Sequence, residues 1–294
     1  MRNIPVASAP HGGPSASAAC GSCVLNGGRL SSSRRHSPHV SHAGITVHCE
    51  LTRFDIADML RCGRELRSIV SASESFEGAA QRVCETLYEG LDGDEPSERG
   101  CVLVRCYKTH PLGLLPPELQ AFAKRAAGAD ATLNSATRCL VLFGTAGARA
   151  SWNSRKLSER HRAIPLASVS MVERAPMIAQ LFREFGVPVE QLVSPPTASV
   201  VDIRAKTYGI FYVDNALGSH SVPAQDDFVI PFGVKSVIGF GSELPGGEMF
   251  ATILFTRVVV PRDVAERFRT VALEMKGALF VAPPERFFAL EPAP

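Results

Sequence analysis

The sequence predicts an α+β fold, an antiparallel sheet flanked by N- and C-terminal helices with long loop and helix insertions, on three observations. Two apolar runs, 234–240 and 249–256, are joined by a short turn containing Pro245, Gly246 and Gly247, which sets two strands side by side in opposite directions. Residues 51–70 and 262–279 carry apolar side chains at three- and four-residue intervals, as amphipathic helices do. The order read along the chain is helix, helix, strand, helix, strand, helix, three strands, helix, so late strands follow one another with no helix between them.

Residues 1–44 are rich in Ser, Gly, Ala, Pro and His and are expected to be a disordered leader, because they cannot bury enough apolar area to order themselves. Their acid-poor, Arg- and Ser-containing composition also suits a transit peptide or a misassigned upstream start. The domain proper is expected over 45–280. Its first helix, 51–70, places Leu51, Ile56, Met59, Leu60, Leu66, Ile69 and Val70 on one side. Ser75 is placed to cap a second helix, 76–91, with Glu77 in its first turn; Gly78 denies it a full capping box. Residues 101–107, CVLVRCY, have strand composition with Arg105 as the one charge, and 118–127 form a short helix just after Pro116 and Pro117.

Residues 138–144 are the second strand, followed by a long excursion over 144–200 that contains a helix at 176–185 ended by Gly186. The remaining strands are 208–213, 234–240 and 249–256, with 227–231 as an extended approach. In the last helix Val264, Phe268, Val271, Met275 and Ala278 recur at heptad spacing. This describes either a helix packed on its own sheet, which two heptads favour, or a dimer seam. Residues 281–294 form a proline-containing tail that ends the helix.

The stretch SVIGFGSELPGGEMFATILFTR, 236–257, raises the alternative of a phosphate-cradling loop. Gly239 and Gly241 match the start of a dinucleotide fingerprint, but Leu244 stands where a third glycine belongs, no G-K-[ST] follows, and 249–256 is a strand. The hairpin reading holds, and Gly239 and Gly241 then mark a close approach to the sheet, open to a ligand.

With 45% hydrophobic and 20% charged residues, the 294-residue chain can bury a sizeable core. No run of eighteen apolar residues occurs, so no membrane span is expected. Residues 1–49 hold no acid and four of the 31 basic residues; the other 27 face 29 acidic ones, which gives no electrostatic case for nucleic acid. Of eight cysteines only Cys20 and Cys23 form a C-x-x-C, without a second pair at zinc spacing. Cys62, Cys84, Cys101, Cys106 and Cys139 lie in apolar segments and read as small buried hydrophobes of a cytoplasmic protein. No metal motif is present in the sequence.

The segments RCYKTHPLGLLPPELQAFA, WNSRKLSERHRAIPL, VPAQDDFVIPFGVKSVIGFG and GEMFATILFTRVVVPRDVAERFRTVALEMKGAL resemble GAF sensory modules found ahead of histidine kinase and cyclase outputs in bacterial signalling proteins. The resemblance spans about residues 50–280. It implies a small-molecule ligand held between the sheet and a capping loop, the loop coming from 144–200. It implies no catalytic residue. Because the sequence ends at Pro294 without an output domain, signalling is expected through a partner such as a histidine kinase, or through a homodimer built on terminal helices.

Candidate ligand residues follow. Trp152, with Arg155 and His161 nearby, suits a planar or anionic metabolite, against the plainer reading of a loop anchor. Gln225 reaches a ligand or caps backbone groups. Gly239 and Gly241 thin the sheet. Cys106, beside Arg105 and Lys108, is a bilin attachment point, a reactive thiol or, with strand alternation turning Arg105 away, a buried structural cysteine. His110, His161 and His220 read as surface or capping residues, although one would suffice as a haem ligand. The cysteines between 49 and 139 also admit a rival, a stand-alone GAF-fold enzyme resembling free methionine sulfoxide reductases. No cofactor is assigned.

Overall fold

The computed structural model describes residues 48–94, 98–129, 131–194, 209–222, 224–244, 246–281 and 286–290. The expected leader, Pro245 and the start of the third expected strand lie outside them. The elements in order are β1 (Cys49–Glu50), α1 (Ile56–Ser71), α2 (Phe76–Gly90), β2 (Leu91–Asp92), β3 (Cys101–Pro111), α3 (Pro117–Ala127), β4 (Arg138–Gly147) and β5 (Ala163–Pro165). The order continues with α4 (Val169–Glu173), α5 (Pro176–Glu184), α6 (Val189–Val193), β6 (Ile210–Val213), α7 (Ile230–Phe232), β7 (Ser236–Glu243), β8 (Met249–Thr256) and α8 (Arg262–Val281).

Six strands form one antiparallel sheet in the order β5-β4-β3-β8-β7-β6, and β1 pairs with β2 apart from it. The β7–β8 hairpin closes through Gly246 and Gly247 at φ 86° and 74°, values that glycine adopts without strain. The terminal helices α1, α2 and α8 cover one face. There Cys106, Phe143, Phe240 and Leu254 of the sheet pack with Leu66, Val83 and Phe268 of the helices. On the opposite face Tyr107, Leu142, Val237 and Phe255 pack with Leu181, Phe182 and Phe185 from α5 and the residue after it. This is the α+β arrangement expected from the sequence, an antiparallel sheet flanked by N- and C-terminal helices.

Several boundaries differ from the sequence expectation for local reasons. Helix α1 starts at Ile56 and not at residue 51, because Asp55 caps it: its side chain accepts from Asp58 N–H at 2.8 Å, and the Asp58 side chain accepts from Asp55 N–H in return. The expected extended approach at 227–231 is instead a π-helical turn over Gln225–Val229 running into α7. The heptad-spaced residues of α8, Val264, Phe268, Val271, Met275 and Ala278, are all buried on the chain's own sheet and α1, with Phe268 stacked between Phe54 (4.8 Å) and Phe240 (5.5 Å). A dimer seam on that face would have to replace this core.

Among the described residues no helix is long and apolar enough to cross a membrane.

Candidate functional site

The residues singled out from the sequence do not meet in one place. Trp152 packs against Phe232 at 4.7 Å and Phe228 at 5.6 Å, with the Arg149 guanidinium over its ring, so it anchors the excursion to the second-face core. Gln225 closes a loop on itself: its amide donates to the Ala216 and Val222 carbonyls (2.9 and 2.6 Å), and its Oε1 accepts from Gly218 N–H (2.9 Å). Arg155 is buried and gives two hydrogen bonds to one oxygen of Glu77, at 2.8 and 2.9 Å. These three side chains are committed to the fold.

At Gly239 and Gly241 the close approach is made by the chain itself and not by open space for a ligand. A Cβ on Gly239 would meet Leu181 Cδ1 at 2.8 Å, and one on Gly241 would meet the Phe250 carbonyl oxygen at 2.1 Å and Phe185 at 2.8 Å. The glycines let α5 sit down on the sheet.

Cys106 is fully buried and faces the terminal-helix side, opposite Arg105, as strand alternation requires. Burial pushes its thiol up to about 12, and it does the same to Cys101 and Cys139. Such thiols are protonated at neutral pH, so they supply neither a nucleophilic thiolate nor an accessible attachment point. All six cysteines of the described residues are buried and free.

His110, expected at the surface, is also buried. It lies on the helix-covered side beside Lys108, whose side chain is 2% exposed, and both face the Glu248 carboxylate. Burial lowers the Lys108 pKa against the opposing pull of Glu248. Burial draws Glu248 upward, but the adjacent His110 imidazole and the Lys108 ammonium outweigh it, leaving that carboxyl below its ordinary range.

His161, of the expected ligand residues, borders an opening. A cleft of about 400 Å³ runs between α3, β5 and α4, lined by Phe122, Ile164 and Met171 and by Glu159, Arg160, His161 and Arg174. At φ 61°, His161 is the one non-glycine residue at positive φ among those described, a local strain of the kind concentrated at functional sites. Its pKa is held below the ordinary 6.5 by desolvation and by the charges of Arg105 and Arg160, so the imidazole is neutral at pH 7.

Arg105 stands behind it. This guanidinium rises from the central strand β3, half-buried, and donates to Tyr107 Oη and Ser158 Oγ, each at 3.3 Å. Ser158 in turn donates to the Arg160 carbonyl at 3.1 Å, which ties Arg105 to the strand of residues carrying His161. Among the described residues no carboxylate pairs with Arg105, and its Nε is buried without a hydrogen-bond partner. Arg160 reaches the exposed Asp227, at 3.4 Å. The cleft wall carries two arginines, Arg160 and Arg174, against one carboxylate, Glu159, with the Arg105 charge close to His161. The sequence showed Arg105 as the one charge of its strand, and its lack of a counter-charge became visible only in three dimensions.

No protein-family model matches the chain, and no curated protein matches it. Solved structures similar to it include a free methionine-R-sulfoxide reductase from Neisseria meningitidis in complex with its substrate. That likeness has 11% identity and a TM-score of 0.40 over 77% of this chain and 90% of that one. A second is the reduced free methionine sulfoxide reductase of Staphylococcus aureus, at 10% identity and TM-score 0.39 over 75% and 94%. A third is the GAF domain of a phosphoenolpyruvate-protein phosphotransferase from Coxiella burnetii, at 13% identity and TM-score 0.37 over 76% and 92%.

Proposed function

We propose that this chain is a small-molecule-binding regulatory domain of bacterial signal transduction, and that its ligand is an anion held in the cleft beside His161. One observation carries the reading: Arg160, His161 and Arg174 line an open cleft, and close to His161 the Arg105 guanidinium has no carboxylate partner among the described residues. A carboxylate or phosphate in the cleft would offset the like charges of Arg105, Arg160 and Arg174 and favour the imidazolium form of His161. The buried, protonated thiols speak against the cysteine-dependent reductase reading. The domain would act on a partner chain such as a histidine kinase, or through a homodimer using the outward sides of its terminal helices, where Leu60, Leu273 and Phe280 are exposed.

Thermal denaturation in the presence of a panel of small carboxylates and phosphates tests this. At a hundredfold excess over Kd a ligand adds about 2.7 kcal/mol, a rise in Tm of roughly 5 to 10 °C. Wild type is expected to respond to one anion class and Arg105→Gln to none. A panel that shifts neither protein, or both equally, overturns the reading.

A further inference from the structure

Residues 286–290, beyond the end of α8, lie along the N-terminus of α2. The Phe76 and Glu77 N–H groups donate to the carbonyls of Arg286 and Phe287 at 2.8 and 2.9 Å, Ser75 and Arg286 form a parallel bridge, and Ala289 N–H donates to the Glu77 carboxylate at 3.0 Å. Ser75 Oγ satisfies only Gly78 N–H (3.1 Å), so the first two donors of the helix depend on this segment.

Two rings point inward. Phe287 lies over the Lys108 ammonium and beside the His110 ring, each at 4.5 Å, and Phe288 stacks on Phe143 at 5.1 Å beneath the Arg155 guanidinium at 5.5 Å. The rings roof the buried Lys108–Glu248–His110 cluster. Yet the segment itself is lightly held, for Phe287 remains 42% and Leu290 73% exposed. Few buried contacts place it at the low-stability end of the molecule, where local opening is cheap.

We propose that the groove between the N-terminus of α2 and the Lys108–Phe143 surface is a docking site for a short extended peptide with two adjacent aromatic residues. Residues 286–290 occupy it as a reversible latch. The groove reads three features of such a peptide: carbonyls spaced to cap two successive helix donors, one ring over a buried ammonium, and a second ring between Phe143 and Arg155. Tethered by only four residues, the chain's own segment has an effective concentration on the order of millimolar, so a free peptide competes poorly while the latch is intact. This proposal is independent of the anion cleft and goes beyond it.

The test uses the full chain with Phe287→Ala/Phe288→Ala, a fluorescent peptide of sequence ERFFAL, and mass-spectrometric mapping of lysine acylation. The peptide is expected to bind the double variant at least about tenfold more tightly than wild type, because the cis competitor has lost its rings. Lys108 should be acylated faster in the variant than in wild type, Lys124 and Lys235 should not change, and added peptide should restore Lys108 protection. Equal peptide binding by both chains, or Lys108 labelling that the peptide does not suppress, overturns the proposal. Should the double variant fail to fold by circular dichroism, hydrogen exchange of wild type decides. Phe76 and Glu77 amides exchanging well ahead of Val83 and Leu87 support a latch, and equal rates contradict it.

Discussion

Arg105 and Lys108 stand three residues apart in β3 and belong to opposite faces of the sheet, Arg105 bonded to Tyr107 and Ser158, Lys108 paired with Glu248. Both are cations taken partly or wholly out of water, and among the described residues only Lys108 has a counter-charge. On the Lys108 side the Glu248 carboxylate pairs with the ammonium beneath the Phe287 ring, so the charge serves the fold. On the Arg105 side there are two hydroxyl bonds and an unpaired Nε, and the charge sits close to His161, which borders the cleft. A buried cation with its partner in place is structural, whereas one without a partner beside an opening asks for an anion from outside.

The comparison can be broken most severely at the closed end. Glu248→Gln leaves the Lys108 ammonium buried with no carboxylate, and the cost is about 3 kcal/mol in urea denaturation, from the usual penalty of orphaning one member of a buried pair. Next, Gly241→Ala probes the solid packing of the second face away from the cleft. Its Cβ would strike the Phe250 carbonyl, a backbone atom that cannot swing aside, so a loss of about 2 kcal/mol is expected, against about 1 for Gly239→Ala, where the obstacle is the flexible end of Leu181. Arg105→Met is the counterpart of Glu248→Gln. With only the Tyr107 and Ser158 hydroxyls as partners and no described carboxylate to orphan, it should change stability by less than about 1 kcal/mol while removing the anion-induced rise in Tm. At the small end, Asp227→Ala breaks only the exposed pair with Arg160 and should cost less than about 0.5 kcal/mol.

Acid sharpens the same contrast. Glu248 has a folded pKa below its ordinary value, so its stabilising share is present above the unfolded carboxyl pKa and is lost as pH falls through the lower folded value. His161 is likewise depressed, and the unfolded chain takes up its proton first. Stability therefore declines as pH drops below 6.5, and a bound anion, by favouring the imidazolium, reduces that decline.

Much of the frame was legible in the sequence because it depends on local chemistry. The hairpin followed from Gly246 and Gly247, the start of α2 from Ser75, the end of α5 from Gly186, and the strand β3 from its β-branched run. What stayed hidden needed contacts distant in sequence. Lys108 and Glu248 are 140 residues apart, and nothing in either segment announces the other. Three-residue β5 has no periodicity to detect, and the π-helical turn at Gln225 carries aromatic and β-branched residues that read as extended. Of the candidate site residues, Trp152, Arg155 and Gln225 are polar or aromatic loop residues whose types suit ligand contact and loop anchoring equally, and only folding decides between the two.

The most direct measurement is an NMR titration of the His161 ring, its signal assigned through His161→Gln, with and without sulfate as a dianion that keeps its charge across the range. The account predicts a His161 pKa below 6.5 in the free protein and an upward move on adding sulfate, abolished by Arg105→Gln. A ring that titrates at its ordinary value and ignores sulfate in both chains would contradict it.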